Sequence, residues 1–558
     1  MRFAVRCTRA IALLSVIAGL SACGTGNQQP VASVSTNSLS FSAASPDATT
    51  PPSQTISASV SPGTVSVAVL HGGSAIANAT YTLSGNTAQI VVDPTAPGAL
   101  GSGVFHGTIT VTGYSCGNPG CSQLVSGNSQ VINATYDIPP IVRYVAPYVG
   151  VATSGSPLTA SGSVIIRGQG FEQFPVQNVT FNGVSASTFS VVSDTEIEAS
   201  YTALPAGTYQ VQVVAPSSPG SIVSEASLWI VPVTNYGAAT TLAYPPGMRV
   251  TGVDQLRYDA ERQALLLVVT TGSGTELLRY AYSSSGGWST TPATVSFPNL
   301  SDIALSTQGS ELLALSPQYL TELDPGTLAI KTQYTPGPTP APAGVYLKNL
   351  AVANDGNAIV TTGNGSSAST PLYLFAVRDP AFTQNSTTPS LDNATPGASA
   401  DGSVVALQQG DPSLASSPPV YQYTASSETF ASTAAAINQG TIAPALDQSA
   451  TRIVLSGIDV YDSSFTLLGK LPSKTLAVVV SPNADCAYTF DSSGQILAFN
   501  LITGMSGGPF PQAGATTPVS SPGTGGAVKM AISPDGGWLF LAGSSQIVVA
   551  PAPTNQCH

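Results

Sequence analysis

From about residue 36 onward the chain consists of short stretches that alternate apolar and polar residues, each closed by glycine, proline, asparagine or serine. A period of two is the mark of a half-buried β-strand. Residues 36–138 contain SLSFSA, QTISASV, TVSVAVL, ATYTLSG, AQIVVD, GTITVTGY and SQVINATYDI. About seven strands in roughly 100 residues predict an immunoglobulin-like sandwich. After the rigid pair Pro139-Pro140, residues 139–232 read IVRYVAPYVG, SVIIRGQGF, NVTFNGVSASTFSVVSDTEIEASY and LPAGTYQVQVVAP. Asn182-Gly183 between two alternating stretches predicts a tight hairpin.

Residues 233–558 repeat one pattern: a short apolar strand, a turn, a second strand, a turn and a third strand. The first turn recurs at Asp259-Ala260, Gln308-Gly309, Asp355-Gly356, Asp401-Gly402, Gln448-Ser449, Asn483-Ala484 and Asp535-Gly536. The spacing of roughly 35 to 52 residues is the length of a four-stranded propeller blade. One such unit cannot cover its own apolar faces, whereas seven packed radially can. The last unit ends after its third strand. Tyr236 to Tyr244 (YGAATTLAY) is expected to supply the missing outer strand and close the ring.

Three resemblances sharpen this reading. GVFHGTITVTGYSC resembles the late strands of BACON-type bacterial Ig-like domains. Residues 139–232 resemble the IPT/TIG family through the Pro147 turn, Gly168-Gln169-Gly170-Phe171, Phe181-Asn182-Gly183 and Pro205-Ala206-Gly207-Thr208-Tyr209. That resemblance implies an Ig-like fold in which the paired glycines serve a turn. Gly168-x-Gly170 precedes no helix and has neither a third glycine nor a Lys-Ser/Thr, so it is not a phosphate loop. The SPDG-type turns resemble those of YVTN-type seven-bladed propellers. The expected fold is all-β: two Ig-like β-sandwich domains (36–138 and 139–232) followed by a seven-bladed β-propeller (233–558).

The N-terminus reads MRFAVRCTRAIALLSVIAGLSAC. A basic stretch precedes an apolar core from Ala10 to Leu20, too short for a helix to cross a bilayer about 30 Å thick, so residues 1–22 are read as a signal peptide. Leu20-Ser21-Ala22-Cys23 resembles the lipobox of bacterial lipoproteins. The resemblance implies cleavage before Cys23, acylation of its thiol and of the new N-terminus, and firm anchoring. Residues 23–35 would then be a lipidated polar tether. Gly24, where inner-membrane retention usually shows Asp, implies the outer membrane if the host has one. The alternative is an ordinary secretory signal with a chance cysteine. Cys116, Cys121, Cys486 and Cys557 remain, an even number suited to an oxidising compartment. Cys116-Gly-Asn-Pro-Gly-Cys121 predicts a local disulfide, and elimination leaves Cys486 with Cys557.

Composition agrees with an extracytoplasmic β-protein. Only 8% of residues are charged, against roughly 25% in an ordinary soluble domain, and 54 glycines and 44 prolines disfavour long helices. The net charge of −12, nearer −15 without Arg2, Arg6 and Arg9, argues against nucleic acid and anionic headgroups as partners.

Candidate chemistry is sparse. The three histidines are His71, His106 and His558, so the body of the propeller has no imidazole for a metal or a catalytic triad. Carboxylates are the remaining acid–base candidates. Asp254 and Asp302 precede the first strands of their blades, where channel loops lie, and are the candidates for a divalent metal like that of lactonase-like propellers. Asp355, Asp401 and Asp535 are expected to cap their own turns, as is the more common role for Asp254 and Asp302. Tyr280, Tyr282, Tyr373, Phe375, Tyr421, Tyr423, Tyr461 and Phe499 fall on third strands, where blade-to-blade packing is expected rather than a sugar platform. The reading is an outer-membrane-anchored binding or scaffold lipoprotein, its two Ig-like modules a stalk and its propeller offered to an envelope protein or glycan. No cofactor and no nucleic acid are expected, and the membrane is met only through the lipid. The alternative is a propeller hydrolase or lactonase with a carboxylate-bound divalent metal.

Overall fold

Nearly every alternating stretch becomes a strand in the computed structural model. The structure describes residues 33–60, 64–116, 124–153, 157–215, 222–233, 235–336, 344–364, 370–391, 393–409, 419–436, 442–472, 475–502, 508–516, 521–523, 528–553 and 557. The signal peptide, Cys23, Cys121 and His558 lie outside the described residues, as does the side chain of Cys116, and with them the expected Cys116–Cys121 bond. Among the described residues no helix is long and apolar enough to cross a membrane. The chain divides into two compact units near residue 139.

The first unit is a sandwich of two four-stranded sheets. Its inward residues alternate along the strands, as in Thr87–Pro94, where Ala88, Ile90 and Val92 are buried. Phe41, Ile56, Ile109, Ile132 and Tyr136 complete the core. The seven expected strands are joined by an eighth, Ser33–Val34, which pairs with Gln54–Ser59. This corrects the tether, whose last residues belong to the sandwich. Two residues are too few to show a period. The segment then crosses to the other sheet, where Ser38–Ser42 runs parallel to Leu124–Ile138.

The second unit begins with a sandwich of two five-stranded sheets around Val164, Ile166, Phe181, Ile197, Val211 and Leu228. The expected hairpin is present: Phe181 pairs with Val184, and Asn182 and Gly183 take φ of 48° and 83°. Asparagine and glycine tolerate this left-handed geometry better than other residues.

Among the described residues seven antiparallel sheets follow, the first of five strands and the other six of four. Their innermost strands are Val250–Asp259, Asp302–Leu305, Tyr346–Val352, Thr395–Ala398, Ala445–Leu446, Thr475–Val480 and Lys529–Ile532. Each meets the next, and the last meets the first, so the sheets form the blades of a closed propeller. The second strands are buried along their length, as in Leu312–Leu315 and Trp538–Ala542. That explains why they read as continuous apolar runs rather than alternations. The core consists of layers between blades, seven clusters that each join two neighbours. Between blades one and two, for example, Leu266, Val268 and Leu277 meet Leu312, Ala314 and Leu323.

The ring closes as expected. Thr240–Leu242 pairs antiparallel with Ile547–Pro551, Thr240 opposite Val549 and Leu242 opposite Ile547. Tyr236 anchors this entry, stacked on Trp288 and edge-on to Trp538 and Phe540. Cys486 and Cys557 are bonded, tying the chain end to the second strand of blade six. Blade three has an addition that the repeat did not reveal: Thr370–Pro371 pairs with Ser390–Leu391 in a separate two-stranded ribbon.

Candidate functional site

The turns that lead from each innermost strand to the second share a local design. Ser306, Ser399, Ser481 and Ser533 each accept, through the side-chain oxygen, the N–H of the residue five positions on. Asp447 does the same with its carboxylate, accepting from Arg452 N–H at 2.6 Å. Within the turns, Asp355 accepts from Asn357 N–H, Asp401 from Ser403 N–H and Asp535 from Gly537 N–H. These aspartates therefore cap their own turns, because a short acceptor two residues upstream satisfies a backbone donor that the hairpin leaves open.

The second sandwich sits on this turn face. Arg167, in the strand Thr159–Gln169, pairs with Glu196 directly across the sheet at 2.6 Å, both side chains under a tenth exposed. Its Nε donates to Asn354 Oδ1 at 3.0 Å, and Asn354 Nδ2 donates on to the Asp401 carbonyl. Gln308 uses both ends of its amide: Nε2 donates to the Val145 carbonyl at 2.8 Å and Oε1 accepts from Ser227 N–H at 3.1 Å. Arg378 grips Glu225 as a fork on a more exposed edge. Tyr148 lies against Gly309 and Tyr144 against Gly356. Both glycines have positive φ, and a Cβ at either would come within 2.6 Å of the ring. The second sandwich is thus a cap fastened to the propeller.

Between cap and turn face lies a cavity of about 880 Å³. The propeller contributes Ser306, Asn354, Asp401, Gln448, Asn483 and Asp535 to its wall. The cap contributes Tyr148, Gly150, Gly162 and Tyr201. Tyr201 is 6% exposed, and burial pushes its hydroxyl up to about 12. The Cys486–Cys557 bond also borders the space.

Of the metal candidates, Asp302 opens its strand, at the end away from the turn, whereas Asp254 lies within Val250–Asp259 at a break in the register rather than before the strand, and both are engaged by protein groups. Asp302 accepts from Gln255 Nε2 at 2.6 Å, Ile303 N–H at 2.8 Å and Leu350 N–H at 2.8 Å, with the Arg257 guanidinium at 3.7 Å. Asp254 accepts from the Thr270 hydroxyl at 2.5 Å. Burial pulls the nearby Lys529 ammonium below its usual range, partly offset by the field of Asp302. A carboxylate with three N–H donors and a guanidinium beside it is built to hold those donors rather than a cation. No cluster of three metal-ligating side chains occurs among the described residues. The third-strand aromatics pack between blades: Tyr280, Tyr373, Phe375, Tyr423, Tyr461 and Phe499 are buried, and Tyr282 and Tyr421 are half-buried.

Sequence reasoning located the turns and their aspartates but missed the cap. Arg167, Gln308 and Asn354 are far apart in the chain, and nothing in their local pattern points across a domain boundary. The one usable signal was glycine in the turns at Gly309 and Gly356.

Comparisons with known proteins bear on the parts separately. No curated protein matches the chain. Similar solved structures include U3-55K (9% identity, 56% of this chain and 98% of that one, TM-score 0.38). The Cps50 (Swd1) β-propeller domain from Myceliophteria thermophila (11%, 55% and 97%, 0.39) and the RRP9 WD40 repeats (9%, 56% and 98%, 0.40) are others. The IPT/TIG domain model matches residues 140–227, the body of the cap. The chain therefore carries an IPT/TIG domain, and that domain closes one face of a β-propeller built from seven sheets of its own.

Proposed function

We propose that this chain is a binding and scaffold protein of the cell envelope, a lipoprotein anchored through Cys23, at the outer membrane where the host has one. Its capped seven-bladed propeller receives a protein or glycan partner. The observation that carries the reading is the walled recess of about 880 Å³, whose turn carboxylates and hydroxyls are committed to holding turns rather than poised as acid, base and nucleophile. The hydrolase alternative gains nothing from Asp254 and Asp302, whose oxygens already accept from Thr270 and from Gln255, Ile303 and Leu350.

The test is photo-crosslinking in living cells from a benzophenone amino acid at Asn483, exposed on the cavity wall, with position 330, exposed on an outer strand, as control. Capture of one defined envelope protein or glycan at 483 and not at 330 is the expected result. Turnover of a lactone or sugar by the purified mature protein, lost in Asp302→Asn, would overturn the reading.

A further inference from the structure

The first turn of blade one holds two carboxylates on a single guanidinium. Arg262 Nη1 lies 3.1 Å from Asp259 Oδ2, and Nη1 and Nη2 lie 3.1 Å from Glu261 Oε2 and Oε1. The side chains of Asp259 and Glu261 are 0% and 9% exposed. Two buried anions on one cation leave a negative charge uncompensated, which is costly away from water. The next cation, Arg279, acts on Asp259 through its field and also feels Asp324; among the described residues it forms no ion pair with either carboxylate.

The cap meets this cluster through Tyr148. The Tyr148 ring lies against Gly309 in the turn of blade two, and it lines the cavity together with Tyr258 and Ala260 of the blade one turn. Its hydroxyl feels Asp259, Glu261 and Arg262, and burial holds it protonated. Tyr258, whose hydroxyl is bonded to that of Tyr236, stands beside Asp259 and is held protonated in the same way. Tyr148 therefore brings the cluster a neutral ring and no cation. The polar contacts described above that fasten the cap fall on blades two and three, at Gln308, Asn354 and Arg378. The corner over blade one can thus move without releasing them.

We propose that this corner is a pH-sensitive clasp on the cavity. With a proton on Glu261, Tyr148 stays seated over the turns of blades one and two. With Glu261 charged, water enters beside the carboxylate, Tyr148 lifts and the cavity opens at that corner. Burial, with Asp259 adding and Arg262 opposing, raises the seated Glu261 carboxyl from its ordinary 4.5 to about 7, so lifting releases a proton. The lifted-to-seated ratio therefore rises up to tenfold per pH unit from 4.5 to about 7 and then levels off, at most about three-hundredfold in all. The inference goes beyond the binding reading and does not depend on it.

The test is fluorine NMR of the mature protein with fluorotyrosine placed at Tyr148, read as the change in resonance position between light and heavy water from about pH 5 to about pH 8. This solvent-induced change reports exposure of the ring. In the parent it is expected to grow up to about pH 7 and then level off. In Glu261→Gln, which keeps an oxygen for Arg262 and cannot take a charge, it should stay at its acid value throughout. In Glu428→Gln, which removes another carboxyl raised by burial, the parent response should persist. A solvent-induced change that is the same at every pH in the parent protein would overturn the proposal. So would a pH response that survives in Glu261→Gln, or one that is lost in Glu428→Gln, because another group would then govern Tyr148.

Discussion

Replacing Arg167 by Met tests how the cap is held. Arg167 and Glu196 are register partners on adjacent strands, with side chains 7% and 9% exposed. Removing the guanidinium leaves a buried carboxylate with no counter-charge, which costs about 3–5 kcal/mol. Asn354 Oδ1 also loses its donor, worth about 1 kcal/mol. The double variant Arg167→Met/Glu196→Leu removes the stranded charge as well. It retains only the Asn354 loss and a repacking term, so its cost falls to about 1–2 kcal/mol. The readout is hydrogen exchange by mass spectrometry over the strands Thr159–Gln169 and Glu196–Pro205. At about 1.4 kcal/mol per tenfold, the single variant exchanges roughly a thousand- to ten-thousand-fold faster through local opening, and the double variant roughly ten-fold faster. A single variant no worse than the double would refute the reasoning, because Glu196 would then not depend on Arg167.

Three further outcomes follow from the same geometry. Gly309→Ala and Gly494→Ala both place a side chain at positive φ, but only position 309 meets Tyr148. Each carries a backbone cost of about 1 kcal/mol, and Gly309→Ala adds about 1–3 kcal/mol of overpacking. Denaturant midpoints of the two should therefore differ, and equal midpoints would remove Tyr148 from the contact. Cys486→Ser/Cys557→Ser opens a link spanning 71 residues, which chain entropy values at about 4 kcal/mol at most. The melting temperature should fall, with blade seven losing exchange protection first. Glu261 is pushed up to about 7, chiefly by burial, with Arg262 opposing and Asp259 adding to the shift. A carboxyl raised in the fold is best tolerated protonated, so its contribution is intact below pH 4.5 and is lost as pH rises toward 7. Melting curves across that window should drop less in Glu261→Gln than in the parent, and parallel curves would contradict the assignment.

Much of this architecture was readable because strands declare themselves locally. The buried second strands are apolar runs bounded by turns, and the incomplete last blade pointed to Thr240–Leu242 as its fourth strand. The turn aspartates were readable for the same reason, since capping involves residues two positions apart. What stayed hidden depends on long-range geometry. Arg167 meets Asn354 only after 187 residues have been folded into place. The place of Tyr201 in the cavity wall is a property of its surroundings and not of the strand Glu196–Pro205 that carries it. The two-residue strand Ser33–Val34 was invisible because it is shorter than one period of the pattern.

The central claim is that the IPT/TIG domain and the propeller are one body with a formed cavity between them. It is tested most directly by a distance measurement between spin labels at Val184 on the cap and Leu467 on an outer propeller strand, both exposed. The labels are introduced through an unnatural amino acid in the mature chain. A single narrow distribution, broadened by Arg167→Met, is the predicted result. A broad distribution in the parent protein would contradict the account, because a cap that swings free cannot wall a site.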